Sequence, residues 1–87
     1  MEKLRDMINS LISELDARSP HAESVDWYLL NNMRRFRDLV ATSPSGHDLK
    51  NGVRVLNRFC IDSMEWNDPM FKAVTALAEQ AERAIEV

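Results

Sequence analysis

The chain has 87 residues, a formal net charge of −3, 45% hydrophobic residues and only two glycines. That composition describes one domain spanning residues 1–87 with one apolar core, too hydrophobic for intrinsic disorder and too poor in turn formers for a sheet protein. The mild acidity disfavours a strongly basic nucleic-acid binder, and one cysteine, Cys60, excludes an internal disulfide framework and fits a reducing compartment.

In chain order, Leu4, Met7, Ile8, Leu11, Ile12 and Leu15 recur at helical steps, which predicts a helix over about 2–17 with one apolar face. The three prolines each follow a residue able to cap a helix, at Ser19-Pro20, Ser43-Pro44 and Asp68-Pro69. A Ser or Asp side chain accepts from the free N–H groups of a first turn, where proline's missing N–H costs nothing. A second helix is therefore expected over about 21–41, with Ala22, Val25, Leu29, Met33, Phe36 and Val40 inward. A third follows over about 45–65, capped by Ser43 or Ser45, burying Leu49, Val53, Leu56, Phe59, Cys60 and Met64. Within it, Asn51-Gly52 is a hairpin signal in isolation. Its neighbours do not alternate, so Gly52 is read as a point of close helix approach, costing about 1 kcal/mol relative to Ala. The fourth helix runs over about 69–86 on a stripe of Met70, Val74, Leu77, Ala81 and Ile85.

Short connections make sequential helices antiparallel neighbours, so the expected fold is all-α, an up-down-up-down four-helix bundle. The alternative is a three-helix core whose first helix is swapped into a dimer. The opening Met1-Glu2-Lys3-Leu4 alternates charged and apolar residues, unlike a signal peptide, and no stretch approaches the roughly 18 apolar residues of a membrane span. A cytoplasmic protein without membrane contact is expected.

Such a bundle gathers the end of helix 1, the start of helix 2, the end of helix 3 and the start of helix 4. That end collects Glu14, Asp16, Glu23, Asp26, Asp62, Glu65 and Asp68 against Arg18 and Lys72, together with Trp27, Met64, Trp66 and Phe71. Helix dipoles favour acids in first turns, which accounts for Glu23, Asp26 and Asp68. Asp62 and Glu65 lie near a helix C-terminus, where the same dipole opposes them. Aromatics among carboxylates suit a basic protein surface, with Asp16, Glu23, Asp26, Trp27, Asp62, Glu65, Trp66 and Asp68 as the candidate contact residues.

Other chemistry is sparse. Arg34, Arg35, Arg37, Arg54 and Arg58 provide a candidate phosphate-contacting set, although Arg54, Arg58 and Asp62 also form an i, i+4, i+8 series able to pair along one face. His21 and His47 begin different helices and fall at opposite ends, and no metal motif accompanies them. Ser45-Gly46-His47-Asp48 holds three residue types of a hydrolase triad, but adjacency in sequence is not triad geometry, so the segment is read as a cap. Cys60 lies on an apolar stripe and reads as an inert core thiol. No cofactor is implied.

The functional expectation is a non-enzymatic inhibitor that neutralises a basic toxin such as a nuclease. In size, compartment and charge layout the chain resembles the small helical immunity proteins of bacterial toxin systems, in general character and without a shared motif. A nucleic-acid-associated regulator using the arginines is one alternative. A dimerising adaptor using Trp27, Tyr28 and Leu30 on the outer arc of helix 2 is another.

Overall fold

The computed structural model describes residues 2–42 and 45–86, the side chains of Ile85 and Glu86 excepted. Four helices account for most of it: α1 (Glu2–Ala17), α2 (Val25–Ala41), α3 (Gly46–Ser63) and α4 (Pro69–Glu86). Each packs on its two ring neighbours, α1 on α2 and α4, and α3 on α2 and α4. The result is an antiparallel up-down-up-down four-helix bundle of 36 × 22 × 18 Å. Helix α1 seats on α2 and α4 of its own chain.

The bundle closes because four apolar stripes meet in the middle. From α1 come Leu4, Ile8, Leu11, Ile12 and Leu15, and from α2 Leu29, Leu30, Met33, Phe36 and Val40. From α3 come Leu49, Val53, Leu56 and Cys60, and from α4 Met70, Val74, Leu77, Ala78 and Ala81. Among the described residues no polar or charged side chain is buried, so the core needs no internal hydrogen bonds. Met7, Phe59 and Met64, expected inward, are half-buried against the rim of this core. The side chain of Ile85, expected to close the α4 stripe, lies outside the described residues.

Of the proline boundaries, Asp68-Pro69 behaves as expected. Asp68 Oδ1 accepts from the Met70 N–H at 2.8 Å, with Pro69 opening α4. Ser45 caps α3, its Oγ accepting from the Asp48 N–H at 3.2 Å. The competing cap Ser43, with Pro44, lies outside the described residues. The α3 helix stops at Ser63, and Met64 is its extended C-cap.

Ser19-Pro20 behaves differently: it ends α1 and does not start α2. Ser19 adopts a left-handed φ of 47° and donates its N–H to the Asp16 carbonyl, the geometry of a helix terminator, after which proline commonly follows. The chain then turns through His21–Ser24, where Glu23 is also left-handed at φ 68° and the Ser24 N–H bonds the His21 carbonyl. Ser24 is the true cap, its Oγ accepting from the Trp27 N–H at 3.2 Å. Helix α2 thus begins at Val25, four residues later than expected from position 21, and Ala22 and Val25 are exposed instead of inward.

Helix α3 runs unbroken through Asn51-Gly52. A Cβ built at Gly52 would stand 2.7 Å from Leu39 Cδ2 and 3.1 Å from the Phe36 ring, so α2 and α3 touch here because the side chain is missing. The Leu39 methyl lies at the end of a flexible chain and can yield, whereas the Phe36 ring is 3% exposed and fixed in the core. Gly52→Val is expected to destabilise by about 1–3 kcal/mol through overpacking, measured as a shift in urea midpoint. Leu56→Ala, at 1% exposure, is expected to cost about 2–5 kcal/mol by the same measurement.

Candidate functional site

At the turn between α3 and α4 the chain leaves apolar surface in water. Trp66 is 77% exposed and Ile61 72% exposed. With Met64, Glu65, Asn67 and Phe71 they line a hollow of about 370 Å³. The geometry follows from how α3 ends. Met64 is extended and half-buried, Glu65 and Trp66 then step outward, and the Asp68 N–H closes the turn on the Glu65 carbonyl at 3.0 Å. The backbone of this turn is tied down at both ends, so the indole is held out from a fixed base. Phe71, half-buried against the core from the first turns of α4, supplies the floor.

The expected contact residues divide between the two turns at this end of the bundle. Glu65 and Trp66 share the hollow. Trp27 is half-buried and sits edge-on to Tyr28, ring centroids 5.0 Å apart, so it is partly a packing residue. Asp26 receives Arg18 at 3.5 Å, and the same guanidinium reaches Glu14 at 3.4 Å, clasping α1 to α2. Asp16 receives Arg34 at 2.9 Å. Asp62 faces Arg58 at 3.8 Å. Asp68 is half-buried and occupied as the α4 cap, and Glu23 is exposed on the α1–α2 turn.

The charge balance of this end therefore differs from the sequence expectation. Arg34 and Arg58 join Arg18 and Lys72 in offsetting the acids. Exposed pairs of this kind contribute about 0–1 kcal/mol each, so they thin the negative potential more than they brace the fold. Among the described residues, Glu23, Glu65 and Asp68 are the acids of the set without an ion-pair partner. Ile61 is a residue that the sequence pattern alone did not single out. Its signal was present, because it falls on the flank of α3 outside the stripe of Leu49, Val53, Leu56 and Cys60, where an apolar residue has no core to face.

The five arginines do not form one patch. Arg34 turns to Asp16 of α1, and Arg37 pairs with Asp38 and lines a hollow with Arg5 and Asn9 of α1. Arg35 lies on the other flank of α2, beside Val55 of α3. Leu30, assigned to an exposed arc of helix 2, is 4% exposed and belongs to the core.

Catalytic furniture is not assembled at Ser45, His47 or Cys60. The Ser45 hydroxyl is used as a cap, and His47 Nε2 lies 3.3 Å from Asn51 Nδ2 within α3. Among the described residues no group of His, Cys, Asp or Glu side chains could hold a metal ion, and no helix is long and apolar enough to cross a membrane. No protein-family model, curated protein or solved structure matches the chain.

Cys60 has 0% exposure, and burial pushes its thiol up to about 11. The folded chain holds the proton, whereas the unfolded thiol ionises near about 8.5. This contribution to stability is whole below the unfolded value and is lost as pH rises through the folded one. Between pH 8 and pH 11 the thiol is expected to remove about 2–3 kcal/mol of stability. Urea unfolding of the wild type and Cys60→Ala across that range isolates the effect, and the variant should show the shallower decline.

Proposed function

We propose that this protein is a non-enzymatic binding module that inhibits a basic protein, an immunity or antitoxin-like inhibitor that covers the cationic active site of a toxin such as a nuclease. The observation that carries this reading is Trp66, an indole 77% exposed at the mouth of an apolar hollow beside Glu65, which has no ion-pair partner among the described residues. A large aromatic left in water gains most when a partner dehydrates it, and tryptophan is the residue type most enriched among binding hot spots. Ile61, Met64 and Phe71 extend the apolar area around it. Cleavage of RNA or DNA requires cationic groups, and a carboxylate beside an aromatic anchor offers those groups a counter-charge together with a dry contact.

Within this reading the residues take different roles. Trp66 and Ile61 anchor, and Glu65 pairs with a cation of the partner. Glu23 contributes to the field that steers approach. Asp16, Asp26 and Asp62 already hold arginines of their own chain, so they add little unless those arginines let go. The working compartment is the cytoplasm.

A photo-crosslinking residue placed at Ile61, with a second variant carrying it at His47 at the opposite end of α3, tests the reading in the native host. The Ile61 position is expected to trap one discrete basic protein that the His47 position does not. Glu65→Lys with Asp62→Lys should abolish that adduct, and Trp66→Ala should weaken the isolated complex by at least about 2 kcal/mol, roughly 30-fold in Kd. Both variants should unfold within about 0.5 kcal/mol of wild type, because the altered side chains are exposed. An adduct that survives the double charge reversal would remove the carboxylates from the mechanism.

A further inference from the structure

The seam between α1 and α2 holds a hollow of about 380 Å³ lined by Arg5, Ile8, Asn9, Arg37, Val40 and Ala41. It lies near the start of α1 and the end of α2 and shares no lining residue with the hollow at Trp66. Its floor is apolar, because Ile8 and Val40 belong to the core. Its rim is polar and of one sign, a guanidinium from each helix with the Asn9 amide one turn along α1 from Arg5. A volume within about 300–1,000 Å³, apolar walls and a few convergent polar groups are what a small-molecule site requires.

No carboxylate lines this hollow. Among the described residues Arg5 has no ion-pair partner. Arg37 sends Nε and Nη2 to a single oxygen of its neighbour Asp38, each at 3.3 Å, which leaves Nη1 unengaged. Both members of that pair are exposed, so it contributes about 0–1 kcal/mol and yields readily to another acceptor. The nearby acids are turned elsewhere: Asp16, further along the seam, holds Arg34 at 2.9 Å, and Asp6 stands with Lys3 at the α1–α4 hollow. The other hollows lack a pair of cations, with Arg35 alone at the α2–α3 seam and Glu65 at Trp66. Two like charges on one rim repel until an anion stands between them.

We infer that the α1–α2 hollow binds a small organic phosphate monoester, its phosphoryl oxygens accepting from Arg5, Arg37 and the Asn9 amide and its apolar body lying on Ile8, Val40 and Ala41. Charge selects phosphate over carboxylate. A monoester carries about −1.5 to −2 near neutral pH, whereas a carboxylate or a phosphodiester carries a single charge, so the monoester matches two guanidinium groups. Guanidinium also forks onto phosphate oxygens through paired N–H donors. The apolar floor selects an organic ester over inorganic phosphate, which leaves Ile8 and Val40 uncovered.

The test uses the full chain, isotope-labelled for NMR and titrated at fixed ionic strength and neutral pH with phenyl phosphate, inorganic phosphate, benzoate and a short single-stranded oligonucleotide. Phenyl phosphate is expected to bind saturably, to shift the amides of Arg5, Asn9, Val40 and Ala41, and to bind at least about tenfold tighter than inorganic phosphate or benzoate. Arg5→Gln should weaken it at least about tenfold, whereas Arg35→Gln, which removes the same charge from the other flank of α2, should leave it within about twofold. Both variants alter exposed side chains and should keep the wild-type urea midpoint. The inference is overturned by a titration that does not saturate, by equal affinity for the three small anions, by equal effects of Arg5→Gln and Arg35→Gln, or by an oligonucleotide that binds tighter than phenyl phosphate through the same amides.

Discussion

Every feature of this molecule depends on apolar stripes that can be hidden only against one another. A single helix of this length exposes its stripe and is marginal in water, so the four form together or not at all. Because no polar side chain of the described residues enters the core, the interior is generic in chemistry and specific only in shape. That division sends all recognition to the outside, to the helix ends and the seams between helices. The seam at Gly52 is where shape is most demanding, since two helices meet at a distance that any larger residue contests.

The architecture was legible because helical periodicity is a property of the stripe alone. Leu4 to Leu15, Leu49 to Cys60 and Met70 to Ala81 needed no tertiary information to be placed inward. Gly52 was legible for the related reason that a glycine inside an otherwise regular stripe costs helix stability and has to be offset by something close by. The start of α2 was not legible from Ser19-Pro20, because Ser-Pro has two physical meanings. The pair can open a helix or follow the end of one, and the choice here turned on Ser19 reaching a left-handed φ. Ser24 followed by Asp26 in the first turn was the better signal, and proline overshadowed it.

The charged end was only partly legible. Sequence position puts acids at one end of a bundle, but the azimuth and reach of each arginine decide which acids remain free. Arg34 lies 18 residues from Asp16 along the chain and meets it across the α1–α2 seam, a contact that no local spacing encodes. Arg58 and Asp62 are one turn apart, and that pairing was readable from the i, i+4 rule. The exposure of Trp66 depends on how α3 terminates at Met64, a matter of two residues at a helix end, where sequence signals are weakest.

The unequal wetting of the two tryptophans has a practical consequence. Trp66 stands in solvent while Trp27 leans on Tyr28 in a half-covered site, so the intrinsic fluorescence of the chain is a sum of two distinguishable emitters. A soluble quencher such as iodide reaches the former first, and its red-edge emission moves to shorter wavelength when something covers that turn. The molecule thus carries an optical reporter at the end of α3 and a second, less solvent-sensitive one at the start of α2, without any added label.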